Sequence, residues 1–169
     1  MSLTIKGKVW KFGDNISTDF MAPGYAGHRG LSEREEALYC MRSNRPDWPG
    51  KVSTGDIIVG GKNFGCGSSR VEAPRNLITL GIGGIVAESF GRIFFRNCVA
   101  MGLPVLTYKD VRDFFEEGEM AQVDFKTGLI VNLTTGKQAR ANALPEIALR
   151  TLEAGGILPL LKREYAKKP

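Results

Sequence analysis

Three runs of apolar residues dominate the middle of the chain: Ile57-Ile58-Val59, Ile85-Val86-Ala87 and Pro104-Val105-Leu106. A strand that faces water on one side alternates polar and apolar residues, whereas one covered on both faces does not. These runs therefore predict three short buried strands. Between them the period changes to that of a helix. Val71, Leu77 and Ile78 share one side up to Gly81, and Phe90, Phe94, Cys98 and Met101 share another between Ser89, read as an N-cap, and Gly102. The β-α-β-α-β order predicts parallel strands joined by helical crossovers, an α/β fold.

The flanks are less regular. Ile5 to Phe12 roughly alternates among lysines, which predicts an edge strand, and Gly13 to Asp19 is a polar loop. Ala22 to Gly30 has three glycines and no period, so a loop is expected. Ser32 to Met41 predicts a short helix, with Glu35 completing a capping box on Ser32. Arg42 to Gly50, with two prolines, reads as a connection back to the core. A short helix is expected near Val111 to Glu117. A hairpin is expected from Ala121–Phe125 and Leu129–Leu133 around Lys126-Thr127-Gly128, and a last helix from Pro145 to Ala154, with Gly155 past its end. No repeat or long linker divides the 169 residues, so 1–169 is read as one domain.

Composition narrows the function classes. The formal charge is +5, with 43% hydrophobic and 24% charged residues, and no apolar run approaches the roughly 20 residues of a membrane span. The N-terminus lacks a signal peptide's apolar core, so a cytoplasmic location is expected. Cys40, Cys66 and Cys98 are odd in number and contain no Cys-x-x-Cys pair, which argues against a disulfide framework and a self-contained metal site. With His28 as the single histidine, a hydrolase triad has little to draw on. The basic tail Lys162 to Lys168 reads as a solvated, frayed end. A nucleic-acid arm is the sharper alternative, but no nucleic-acid-binding motif accompanies it. Neither nucleic acid nor membrane is expected as a partner.

The richest segment is Gly60-Gly61-Lys62-Asn63-Phe64-Gly65-Cys66-Gly67-Ser68-Ser69-Arg70, between a buried strand and a helix. Its glycines allow a tight turn, its serines supply hydroxyls, and Arg70 offers a planar fork to a carboxylate or phosphate. A Walker loop fails because Lys62 stands well before the serines. A dinucleotide fingerprint fails because Arg70 stands at its third glycine, and a nucleophile elbow fails because Arg70 again occupies the glycine position after Ser68. Two readings remain equally open from the residues: an anion site, or a turn capped by Ser69 with Glu72 in a capping box. With Ser69 as N-cap, Pro74 removes a helical hydrogen bond, so a later helix start is the competing arrangement.

This string resembles the Asn-Phe-Gly-x-Gly-Ser-Ser-Arg signature of the aconitase superfamily's swivelling domain, best known as the separate small subunit of 3-isopropylmalate dehydratase and archaeal homoaconitase. Gly13-Asp14-Asn15-Ile16-Ser17-Thr18-Asp19 is similar to that family's Gly-Asp-Asn-Ile-x-Thr-Asp loop. Gly84 to Phe94, with Asn97 and Gly102-Leu103-Pro104, resembles its strand-to-helix segment. The similarity runs from about Lys8 to Leu106.

The resemblance implies a β/β/α swivelling domain with a mixed-sheet or barrel-like core and flanking helices. It also implies a hydro-lyase that moves a hydroxyl between neighbouring carbons of a small hydroxy acid, active only with a large subunit. That partner would carry the [4Fe-4S] cluster, and this chain would bind no metal. Isomerisation of isopropylmalate in leucine biosynthesis is the first expectation; homoaconitate, methylcitrate and dimethylmalate are alternative substrates, and an anion-binding regulatory module is the non-enzymatic one. Ser68 matches the catalytic serine that takes a proton beside a carboxylate, and Asp19 the aspartate supporting the acid–base network. Ser69 and Arg70 match substrate-carboxylate contacts, and Gly67, Thr18 and Arg29 complete the expected substrate-binding set. Arg29, like His28, is a candidate for a distal carboxylate, against the alternative of an ordinary exposed loop residue. The chain departs from the family in having Val71-Glu72 where Glu-His usually follows the arginine.

Overall fold

The computed structural model describes residues 3–27 and 29–166. His28 and the tail lysines Lys167 and Lys168 lie outside the described residues. In chain order the elements are β1 (Thr4–Lys11), α1 (Thr18–Met21), α2 (Gly24–Gly27), α3 (Glu33–Ala37), β2 (Ile57–Gly60), α4 (Glu72–Leu80), β3 (Gly84–Ala87), α5 (Arg92–Met101), β4 (Val105–Thr107), α6 (Val111–Phe114), β5 (Met120–Asp124), β6 (Leu129–Asn132), β7 (Gln138–Arg140), α7 (Glu146–Ala154) and α8 (Ile157–Tyr165). Seven strands form one mixed sheet in the order β4-β3-β2-β1-β5-β6-β7. β1 to β4 are parallel where they pair, and β5, β6 and β7 add antiparallel to the far side of β1.

The expected buried strands are covered on both faces. Ile58, Ile85, Ala87 and Val105 point into one apolar cluster with Met21, Leu77, Phe94 and Cys98. Their neighbours Ile57, Val59, Val86 and Leu106 point into a second cluster with Val123, Ile130, Val111, Ala148 and Leu152. Period-2 alternation between two dry faces accounts for the unbroken apolar runs. α4, α5 and α7 each end on a left-handed glycine: Gly81, Gly102 and Gly155.

Four expectations need correction. β1 is central, not an edge: its polar Lys8 lays its ammonium 4.1 Å from the Trp10 ring and 4.0 Å from Asp56, and Asp56 is buried and accepts from Trp10 Nε1 at 2.7 Å. Ser89 does not cap α5, because its hydroxyl accepts from the amide of Asn63 at 2.8 Å. Ala22 to Gly30 includes one helical turn, α2. The basic tail is solvated as expected but not frayed at its start, where Lys162 to Tyr165 continue helix α8. The capping box of Ser32 and Glu35 forms as expected, on a helix that ends at Ala37.

β1 can lie between β2 and β5 because residue 7 lacks a side chain. A Cβ at Gly7 would sit 2.0 Å from the carbonyl oxygen of Gly55. Gly7→Ala is expected to lower unfolding stability by about 2 kcal/mol or more, seen as a lower urea midpoint. An unchanged midpoint would contradict this packing.

Candidate active-site corner

Because β1, β2 and β3 run parallel, the loops after them leave from one edge of the sheet, where open α/β sheets bind ligands. The three loops are laced in the same order as their strands. Ile16 O accepts from Gly65 N and Cys66 O from Thr18 N, both at 2.7 Å. On the other side Phe64 N donates to Ser89 O and Gly91 N donates to Phe64 O, both at 2.9 Å. Side chains reinforce the seam: Asn63 Nδ2 donates to Asn15 Oδ1 at 3.0 Å, and Asp14 Oδ1 accepts from Lys62 N at 2.8 Å. The glycine-rich segment is thus a short continuation of the sheet.

Within this frame the expected residues Thr18, Asp19, Gly67, Ser68 and Arg70 come together. Ser17 caps α1 by accepting from Asp19 N at 3.1 Å, and Thr18 Oγ1 donates to Ser68 O at 3.0 Å. Gly67 has φ +103°, and a Cβ there would lie 2.8 Å from Ser17 Oγ and 3.0 Å from Thr18 Oγ1. Residue 67 is therefore glycine on two grounds, its left-handed backbone and its close neighbour. Arg70 donates from Nη2 to Asp19 Oδ1 at 2.8 Å, from Nη1 to Ala22 O at 3.0 Å, and from Nε towards Ser68 Oγ at 3.4 Å. The last is at the outer limit of hydrogen bonding. α1 is seated in turn on α4, where the buried Asn76 donates to Met21 O at 3.0 Å.

The corner is open. Gly67, Ser68 and Ser69 are exposed, and Asp19 keeps 59% of its side-chain surface. Ser69 has no side-chain partner among the described residues, and α4 starts at Glu72 with no side-chain cap, so the capping box on Ser69 does not form. The later start places Pro74 in the first turn, where its missing N–H breaks no helical bond. Beside Arg70 lies a groove of about 340 Å³ walled by Ala22, Pro23, Glu36, Glu72 and Arg75. Arg29 does not line it; its guanidinium lies over the Tyr39 ring and donates to the Tyr39 hydroxyl at 3.2 Å.

Some contributors carry no signal in sequence. Arg112, on α6, pairs with Asp14 at 3.0 Å and with Glu88 at 3.3 Å, fastening the first and third loops. Arg75 pairs with Glu36 across the groove wall. The cysteines do not form a ligand set for an iron–sulfur cluster: Cys40 and Cys98 are sealed in the apolar core, where burial pushes their thiols up and disfavours thiolate, and Cys66 stands apart in the glycine-rich turn. Among the described residues no three His, Cys, Asp or Glu side chains gather as metal ligands would. Among them, too, no helix is long and apolar enough to cross a membrane.

The sheet and its glycine-lined corner define the aconitase C-terminal class of domain, and the family model described as Aconitase C-terminal domain matches residues 41–111. The isopropylmalate/citramalate isomerase small subunit of Methanocaldococcus jannaschii is 48% identical over 99% of both chains, and 3-isopropylmalate dehydratase small subunit 1 of Methanopyrus kandleri is 45% identical over 95% of this chain and 94% of that one. The methanogen homoaconitase small subunit of Methanothermobacter thermautotrophicus is 44% identical, covering 91% and 88%. A crystal structure of 3-isopropylmalate dehydratase from M. jannaschii superposes with a TM-score of 0.90 over 96% of each chain, at 35% identity. The chain belongs to the family of 3-isopropylmalate dehydratase small subunits.

The seam between the first two loops depends on Gly67. Gly67→Ala is expected to reduce stability by roughly 1–3 kcal/mol and to speed amide exchange at Thr18 and Gly65 before the strands are affected. Equal protection in both proteins would show that the seam tolerates a side chain.

Proposed function

We propose that residues 1–169 act as one swivel-type domain, the small subunit of a cytoplasmic hydro-lyase that interconverts 2- and 3-isopropylmalate by dehydration and rehydration, a step of leucine biosynthesis. The observation that carries this reading is the Arg70 guanidinium, anchored by Asp19 and Ala22 and directed at the Ser68 hydroxyl on an open rim. The relatives named as small subunits support a large-subunit partner, and the open rim is the surface at which it would complete the site. On this reading the partner carries a [4Fe-4S] cluster, which would supply Lewis acidity toward a hydroxyl.

The chain's own residues supply the proton chemistry and the grip. Deprotonated Ser68 removes the proton from the carbon beside a carboxylate while the hydroxyl leaves the neighbouring carbon. In rehydration Ser68 gives its proton to the carbon that lost the hydroxyl, and the hydroxyl adds to the carbon that lost the proton. A serine hydroxyl is a weak acid in water, so its alkoxide needs a fixed positive charge nearby, and Arg70 stands in that place. Asp19, Ala22 and Ser68 occupy three of the five guanidinium N–H groups. Two remain for the substrate carboxylate, and the exposed Ser69 hydroxyl stands beside it. Thr18 and Gly67 hold the turn in register, and Arg29, held by Tyr39, has a distal carboxylate to meet only on the homoaconitate reading. The 3.4 Å separation of Arg70 and Ser68 suits a site that tightens when substrate and partner are bound.

A second reading, a hydratase for homoaconitate, has the homoaconitase relative in its favour; turnover of that acid without isopropylmalate would select it. For either acid, Ser68→Ala in the enzyme reconstituted with its large subunit is expected to lower kcat by roughly 10²–10⁴-fold, with the complex still eluting as one species. Undiminished turnover would remove Ser68 from the chemistry and favour a non-catalytic anion-binding role.

A further inference from the structure

The groove beside Arg70 has an apolar wall and a charged wall. Ala22 and Pro23, both buried, form the first with Gly24 and Gly27; Glu36, Glu72 and Arg75 form the second. The charges do not balance. Arg70 is matched by Asp19, and Arg75 by Glu36, with Glu33 a further 3.7 Å from Arg75. Glu72 has no cationic partner among the described residues, and it stands in the first turn of α4, where its carboxylate offsets the positive helix end that would otherwise favour an anion. The groove's own lining sets Arg70 and Arg75 against Glu36 and Glu72, and because Asp19 and Glu36 already pair with the two arginines, Glu72 is the carboxylate left without a counter-ion among the described residues.

A ligand carboxylate held by Arg70 has its remaining substituents in or near this groove. A branched alkyl group finds the Ala22–Pro23 wall. A further carboxylate meets the uncompensated Glu72 carboxylate on the groove wall. From this we infer that Glu72 is a specificity-determining residue, which makes the groove accept an uncharged distal group and reject a third carboxylate. The inference rests on the isopropylmalate reading and deepens it, because homoaconitate carries a carboxyethyl arm, ending in a third carboxylate, where isopropylmalate carries an isopropyl group. Selection by repulsion is an ordinary route to specificity among ligands sharing one anchoring group.

The test is the ratio of kcat/KM for homoaconitate to that for isopropylmalate, in the enzyme reconstituted with its large subunit. A ratio taken on one preparation cancels the fraction of active enzyme, so a partly destabilised variant remains informative. Glu72→Gln is expected to raise the ratio about tenfold, the size of one screened like-charge contact, and Glu72→Lys to raise it further. A ratio unmoved by both substitutions, in an enzyme that turns over isopropylmalate, overturns the inference and leaves the functional reading intact. A wild-type enzyme inactive on isopropylmalate contradicts the functional reading and overturns both.

Discussion

The site depends on how the Arg70 guanidinium is held. Its three anchors come from different places: Asp19 and the carbonyl of Ala22 lie at opposite ends of α1, and Ser68 lies two residues back along its own turn. An arginine on an exposed turn is normally a mobile cation worth little to stability. Here a planar fork with fixed donor directions is bound on several sides, so its charge has one position relative to the Ser68 hydroxyl. That fixed field is what the proposed proton chemistry would require of this chain.

The rest of the fold can be understood as support for that placement. Parallel pairing of β1, β2 and β3 brings their following loops to one edge. The backbone bonds from Ile16 to Gly65 and from Cys66 to Thr18 then set α1 against the glycine-rich turn. Arg112 closes the assembly from outside, and Asn76 seats α1 from below. The strands behind this support are buried, whereas the serine and the aspartate stand exposed at an open rim with the half-buried arginine between them. Such a division fits a catalytic half-site whose other half is another polypeptide, since residues that must meet a partner cannot also be sealed in a core.

Most of this was legible in the residues, for reasons that also mark where reading stops. Unbroken apolar runs reported strands buried on both faces, and glycines marked three helix ends. β1 misled because Lys6, Lys8 and Lys11 suggested solvent, although Lys8 lies over Trp10 and approaches Asp56. The three-residue β7 has no apolar run to betray it, and the charges of α8 hid its buried Leu160. Ser69, with Glu72 three residues on, and Ser89, ahead of a helical pattern, both suggest N-caps but cap nothing: α4 starts after Ser69, and the Ser89 hydroxyl serves the neighbouring loop. The corner itself was readable because its members lie in two short motifs. Arg112 and the Arg75–Glu36 pair were not, since 98 and 39 residues separate the partners and no local pattern links them.

Whether Ser68 and Arg70 work as one device can be measured by a double-mutant cycle of Ser68→Ala and Arg70→Lys in the reconstituted enzyme, read as kcat/KM for isopropylmalate. If the arginine acts largely by stabilising the deprotonated serine, its replacement does little further harm once the hydroxyl is gone, and the two losses fall well short of adding. Losses that add to within about 0.5 kcal/mol would mean the two side chains act independently, contrary to the arrangement described.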